Sequence, residues 1–303
     1  MVQGKSVRPR ISIITPSYNQ GKYIERTIQS VLSQDIPDLE YVVYDGGSTD
    51  ETIDILCRYE GQLRWVSEKD RGQAHAVNKG ITTTTGEIIG WLNSDDIYYP
   101  KALETVVSFL AEQPDIDMVY GDADHIDEND DAIEPYYTEE WNYERLKDVC
   151  YLCQPAVFLR RRVVQAHGLL DETLRYCMDY EYWLRVGSQV KFAYLRRRLA
   201  GSRMYPDNKT LGSRVPVHRE IVEMTKNRLG QPPDRWILNY AHAVVETLGF
   251  HRSSGLAFAV AVTAVSWYAS LRWNRRLSSE IVRTTASWIG DSARFTVREV
   301  LTR

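Results

Sequence analysis

Two adjacent acids, Asp95 and Asp96, follow the apolar run Glu87–Leu92 in this 303-residue chain. Neighbouring carboxylates repel one another, so holding both at a strand end costs stability unless a cation balances them. Hard oxygen ligands of this kind suit Mg²⁺ or Mn²⁺, which bridge to substrate phosphates. The same residues also make an ordinary helix N-cap that needs no metal. Asp45 ends a second apolar run and precedes Gly46 and Gly47. An acid so placed can accept a hydrogen bond from a nucleobase ring N–H, and the glycines let a ligand approach the backbone. A turn closed by its own aspartate is the alternative. Asp179 lies among aromatic rings in RYCMDYEYWLRV. Such surroundings raise a carboxyl pKa and suit a general base; the alternative is again an N-cap. Glu181, two residues on, points to another helix face and cannot share that role.

Arg71 could neutralise phosphate with both guanidinium arms or be a solvated surface residue. His75 reads as a packed helix residue. Asp122 and Asp124 lack the glycine and spaced ligands of a calcium loop and read as a rim or structural pair. The runs Arg160–Arg162 and Arg196–Arg198 read as solvated faces or acceptor rims.

The elements that position these residues follow from pattern. Ile11–Thr15, Leu39–Tyr44, Leu63–Ser67, Glu87–Leu92, Asp117–Tyr120 and Gln154–Arg160 read as buried strands. Helical patterns stand between them: Tyr23–Gln34, a helix opened by the capping pair Ser48 and Glu51, Gly72–Gly80 closed by its glycine, and one from Pro100. Asp179–Gly187 reads as a further helix. This alternation signals an α/β domain. In open parallel sheets ligands bind outside the carboxyl ends of the strands. The polar stretches 16–19, 45–50, 68–73 and 93–96 should therefore converge on one edge. The pattern fades near residue 200, and an Arg-rich helical region follows.

Composition sets the wider bounds. Hydrophobic residues make up 43% and charged residues 26%, a globular balance that argues against disordered, collagen-like or multi-span membrane classes. The net charge of −4 weighs against a nucleic-acid partner. Cys57, Cys150, Cys153 and Cys177 are too few for a disulfide framework. The lone CxxC lacks a second zinc-ligand pair, so the thiols read as reduced and structural. The apolar run after MVQGKSVRPR is too short for a signal peptide. Residues 255–271, GLAFAVAVTAVSWYASL, carry no charge and as a helix would extend about 25 Å, marginal for a bilayer core. The arginines beyond them, Arg298 and Arg303 included, oppose a span by the positive-inside rule. A buried helix and one lying in the membrane interface with its Arg flank on anionic headgroups both remain open.

The segments ISIITPSYNQGKYIERTIQSVLSQ, EYVVYDGGSTDETIDIL, SEKDRGQAHAVNKGI, GEIIGWLNSDDIYYPKAL and LLDETLRYCMDYEYWLRV come in an order that resembles glycosyltransferase family 2 across residues 11–200. The resemblance implies an α/β fold of GT-A type, a Rossmann-like, mostly parallel sheet flanked by helices. The nucleotide-sugar-binding and catalytic domain would occupy residues 1–204, and a helical C-terminal extension residues 205–303. It further implies that Pro16, Ser17 and Tyr18 lie along the nucleotide and that Asp45 recognises the base. Asp70, Arg71, Asn78 and Lys79 would stand beside the nucleotide and its diphosphate. Asp95 and Asp96 would hold Mn²⁺ or Mg²⁺, Asp179 would be the catalytic base, and Gln154 would approach the acceptor. Asn93 departs from the family, standing where the first metal-binding acid is common. Gly46 and Met178 likewise replace a common Asp and Glu.

The implied activity is inverting transfer of a sugar from a nucleoside-diphosphate donor, UDP by default, to a hydroxyl of a glycan or lipid-linked acceptor. It would serve cell-surface or secreted polysaccharide synthesis in the cytoplasm, at the inner face of the plasma membrane if residues 255–276 touch lipid. A sugar nucleotidyltransferase and a non-catalytic nucleotide-sugar-binding scaffold subunit are the alternatives.

Overall fold

The computed structural model of the chain describes residues 9–301, and the side chains of all of these except Ser254 and residues 295–301. The expectation about the N-terminal stretch before Pro9, and the side chains of Arg298 and Arg303, lie outside the described residues. Two compact units are present, one formed by residues 1–143 and 150–206, the other by 144–149 and 207–303.

The first unit alternates β1 (Ile11–Ser17), α1 (Ile24–Leu32), β2 (Glu40–Asp45), α2 (Thr52–Arg58), β3 (Arg64–Ser67), α3 (Gln73–Thr83) and β4 (Ile88–Trp91). It continues through β5 (Ile97–Tyr98), α4 (Ala102–Glu112), β6 (Met118–Ile126) and β7 (Ala132–Pro135). After the helical segment α5 (Tyr143–Asp148) come β8 (Val157–Arg160), α6 (Arg161–His167), α7 (Met178–Val186) and β9 (Phe192–Arg203). One sheet holds all nine strands, in the order β3-β2-β1-β4-β8-β6-β9-β5, with β7 on β6. Strands β1 to β4 pair in parallel, and so do β6 and β9. β8 is antiparallel to both β4 and β6, so most strands share one direction.

The central strands are apolar without alternation because helices cover both faces. Every residue of β1 is buried. Helix α1 puts Ile24, Ile28 and Val31 into the core under the sheet, and α4 adds Leu103, Val106, Val107 and Leu110. Gly80 is not a helix stop: α3 runs on to Thr83. Its lack of a side chain is a packing requirement, since a β-carbon there would collide with Ile14 of β1. The capping expectation at Ser48 also differs. α2 starts at Thr52, whose N–H donates to the Asp50 carboxylate at 3.1 Å, while the Ser48 hydroxyl donates to Asp45.

β9 has no counterpart among the expected strands. Its three consecutive arginines, Arg196–Arg198, are exposed and obscure the buried Leu195, Leu199 and Ala200. Those arginines are solvated as expected. In the run Arg160–Arg162 only Arg162 is exposed. Arg160 is buried and donates to the carbonyls of Ile116 at 2.8 Å and Leu110 at 2.6 Å. Arg161 donates to those of Gly86 and Ile81, each at 2.7 Å.

The second unit holds α8 (Arg214–Leu229), α9 (Asp234–Thr247), α10 (Leu256–Asn274) and α11 (Ser279–Leu301). One face of α10 buries Phe258 and Val262 against Ala241 and Val245 of α9. Further along, Ala269 packs with Ile237 and Ile281.

Gly80→Ala should gain helix propensity yet lose about 1–3 kcal/mol of stability, because Ile14 is fully enclosed and cannot yield. Urea unfolding measures this. Ile14→Ala combined with Gly80→Ala should cost less than the two single losses added.

Candidate active site

The loops after β1, β2, β3 and β4 are tied together at one sheet edge by their own polar groups. Asn19 N–H donates to Ser48 Oγ at 2.7 Å, and Thr49 N–H to Asn19 Oδ1 at 2.9 Å. Gly21 N–H reaches Asp50 at 2.9 Å. Asp45 is buried, and its Oδ2 accepts Gly47 N–H, Ser48 N–H and Ser67 Oγ–H at 2.9, 2.8 and 2.6 Å. Its Oδ1 takes only the Ser48 hydroxyl, leaving acceptor capacity on that oxygen. The turn reading of Asp45 is thus present in the fold, with one oxygen still able to accept.

Pro16 and Ser17 are buried in β1, whereas the Tyr18 ring is 61% exposed at its end. Asp70 accepts Gly72 N–H at 2.8 Å. Its carboxylate lies against Gly46, where a β-carbon would sit 3.0 Å from Asp70 Oδ2, so the glycine in the usual place of an acid leaves room for Asp70. Lys79 pairs with Glu68 and Arg71 with Glu172. Asn78 is turned inward. Its amide donates to Leu170 O at 3.0 Å and to Glu172 at 3.1 Å, and accepts Leu170 N–H at 3.0 Å. It fixes the loop leading to α7, and with Arg71 it holds the Glu172 carboxyl below its usual range.

Asn93 is the junction of the β4 end. Its Oδ1 accepts from Gln73 at 2.6 Å and from the Trp91 indole at 2.9 Å. Its amide donates to Asp96 Oδ2 at 3.0 Å and to Gln154 Oε1 at 3.1 Å, and Gln154 donates to Trp91 O at 2.6 Å. Asp96 is 3% exposed. Its other oxygen accepts Arg203 N–H at 2.9 Å, so both oxygens are engaged inside the fold. Burial first, and the charge of Asp95 second, push its carboxyl far above the usual value of 3.8. Asp95 is only half-buried and accepts the Tyr205 hydroxyl at 2.9 Å.

Asp179 stands half-buried in the first turn of α7. Burial first, and the charge of Asp179 second, push the Cys150 thiol up. Burial, then Asp96 and Cys150, and after them Asp179, push the Cys153 thiol up. Neither thiol is in a disulfide. Glu181 is buried and paired with Arg185 at 3.1 and 3.0 Å, on another face from Asp179. The pair Asp122 and Asp124 is held by Tyr194 and Tyr99.

Sequence reasoning missed Arg203 and Tyr205. The Arg203 side chain is fully buried. It donates to Asp95 O at 2.7 Å and Asp127 O at 2.6 Å, pairs with Asp130, and lies 4.9 Å from the Tyr23 ring centroid. The available signal was an arginine ending a stretch of small residues, LAGSR, which is uninformative without β9.

Residues 12–168, just over half of the chain, match the family described as Glycosyl transferase family 2. The chain belongs to glycosyl transferase family 2. Among relatives, chondroitin synthase of Escherichia coli is 28% identical over 229 residues, 73% of this chain and 33% of that protein. An uncharacterised glycosyltransferase of Rickettsia typhi is 31% identical over 199 residues, 59% of this chain and 60% of that one. The chain therefore spans a third and three-fifths of these two proteins. Among solved structures, Staphylococcus aureus TarS 1–349 in complex with UDP-GlcNAc superposes with a TM-score of 0.60 at 17% identity, covering 94% of this chain and 89% of that one. The mannosyltransferase PcManGT of Pyrobaculum calidifontis, in complex with GDP-Man and Mn²⁺, gives 0.58 at 18% identity over 97% and 87%. At these identities the likeness is one of fold, and the family 2 chain has the GT-A fold with added C-terminal helices.

The raised Asp96 carboxyl sets a sign. The folded state holds its proton above pH 3.8 where the unfolded chain releases it, so this group's contribution falls as pH rises from there toward and beyond neutrality. In chelator, urea midpoints should show Asp96→Asn losing about 1–3 kcal/mol less than wild type between pH 5 and pH 8. Parallel losses in both proteins would contradict the assignment.

Proposed function

We propose that this family 2 chain is an inverting glycosyltransferase that uses a nucleoside-diphosphate sugar, UDP-linked by default. The observations supporting this reading are that Asp45 stands at, and Asp95 follows, the carboxyl ends of strands that run in parallel, that Tyr205 bonds both Gln20 after β1 and Asp95, and that Asp179 is near enough to Cys153 to act on its thiol. The family match and the nucleotide-sugar complexes of the two fold relatives support it.

The first unit, residues 9–143 and 150–206 of the described chain, would form the donor and catalytic unit. Tyr18 offers an exposed ring for the base to stack on, and Asp45 Oδ1, which accepts the Ser48 hydroxyl and has a second lone pair, an acceptor for a ring N–H. Ser17, Pro16 and Asp70 shape the floor beside Gly46. Arg71 and Lys79 are the cations within this group. Both are in exposed ion pairs worth little, so a diphosphate can recruit them without a large cost. Asn78 supports this wall and does not contact donor.

The acids fit a hard divalent cation. Among the described residues no group of three or more His, Cys, Asp or Glu stands ready for a metal. Mg²⁺ and Mn²⁺ typically take one or two carboxylates and complete their shell with phosphates and water. Asp95 would hold the ion, and Asp96, enclosed by Arg203 and Asn93, would fix the loop that presents it. A bound cation supplies neutralisation of the leaving diphosphate. Asp179 would take the proton from an acceptor hydroxyl as its oxygen attacks the anomeric carbon from the face opposite the diphosphate. Gln154, ordered by Asn93 and Trp91, stands on the acceptor side. The acceptor is a glycan or lipid-linked sugar, handled in the cytoplasm.

Thermal unfolding with UDP, GDP or dTDP and Mn²⁺, Mg²⁺ or chelator tests this. One nucleotide should stabilise the chain, by about 2.7 kcal/mol at 100 times its dissociation constant, and only with metal. Asp95→Ala should abolish the metal-dependent shift. Asp179→Asn should keep it and lose transfer by at least about 100-fold. Transfer near the wild-type rate in Asp179→Asn would remove Asp179 as base.

A further inference from the structure

Helix α10 is apolar all round, and its two sides have different surroundings. Phe258, Val262 and Ala269 face α9 and α11. Leu256, Val260, Ala264, Trp267, Tyr268 and Leu271 are exposed. Their spacing of three, four and eight residues puts them on one stripe, roughly 22 Å long at 1.5 Å per residue. Monomeric soluble proteins rarely leave so continuous an apolar strip in water.

Charge around the strip says what covers it. No acid stands on α10. Exposed Arg252 precedes its N-terminus, and exposed Arg272, Arg275 and Arg276 close its other end. None of these four makes an ion pair among the described residues. Between residues 249 and 294 six arginines face two acids, and one of those, Asp291, is paired with Arg294 at 2.9 Å. Trp267 and Tyr268 lie within the strip, the side chains that settle where apolar and wet regions meet. The same helix is long and apolar enough to cross a membrane by composition. Crossing would strip Phe258, Val262, Ala269 and the hydroxyls of Thr263, Ser266 and Ser270 out of the packed unit.

We propose that the exposed face of α10, bracketed by Arg252 and by Arg272, Arg275 and Arg276, lies in the surface of an anionic bilayer without spanning it. The apolar strip enters the headgroup boundary and the arginines meet lipid phosphates. A second copy of the chain suits the strip less well, because the arginines at its ends would face one another.

Flotation of the purified full chain with vesicles is the test. Phosphatidylglycerol-containing vesicles should carry the protein, more weakly as salt rises, and pure phosphatidylcholine vesicles should carry far less. Arg272→Gln, Arg275→Gln and Arg276→Gln should each weaken binding about fivefold and flatten the salt dependence. Val260→Ser with Tyr268→Ser and Leu271→Ser should remove binding at all salt concentrations. Trp267 is left in place because its indole donates to Thr285 of α11 at 3.2 Å. An unchanged unfolding midpoint and an unchanged nucleotide shift show that the variants remain folded. Failure of folded wild type to float with anionic vesicles overturns the proposal. So does a dimer, seen by light scattering, that the triple serine variant dissolves while vesicle binding is absent. Neither result touches the donor site, which the nucleotide shift reads separately.

Discussion

A carboxyl group buried at a strand end must be given hydrogen-bond partners by the protein, and Asp96 receives donors from Arg203 and Asn93. That requirement links distant parts of the first unit. Arg203 is the last residue of β9, so the acid loop after β4 is fixed only when β9 lies beside β6. Thr27 of α1 donates to the carbonyls of Ser94 and Asp96 at 2.9 and 2.7 Å, closing the loop from below. Asn93 extends the same chain of bonds to Gln154. The outcome is that Asp96 is enclosed while its neighbour Asp95 faces out.

The carboxyl end of β2 follows a similar rule. Asp45 spends most of its acceptor capacity on its own turn, which rigidifies the loop, and keeps part of one oxygen. Asn78 spends nearly all of its capacity on Leu170 and Glu172 of the loop before α7.

Much of this was readable in the sequence. The strands β1, β2 and β4 are unbroken apolar runs because they are covered on both faces, and α1 shows its 3.6-residue period because only one face is covered. The order of polar loops along the chain sufficed to place Asp45, Asp70 and Asp95 on one edge. β9 was hidden because its outward residues are three arginines in a row, produced by an irregular register opposite Gly121–Ala123. With β9 unseen, Arg203 had no address. Asn78 and Asp96 carried the right residue types for ligand contact, but motif spacing does not report which way a side chain points. Ser48 fitted a cap by spacing, yet Asp45 took its hydroxyl first. Helix α10 defeated periodicity for a different reason, since one apolar face is packed and the other is exposed.

The central claim is that Asp45, Asp95 and Asp179 border a single donor site. Anomalous diffraction at the manganese edge, from crystals of the chain grown with UDP and Mn²⁺, tests it most directly. The account predicts one manganese peak shared by an Asp95 carboxylate oxygen and the diphosphate, with the uracil against Tyr18 and Oδ1 of Asp45. A manganese peak away from Asp95, or a nucleotide bound with its base remote from Asp45, would contradict it.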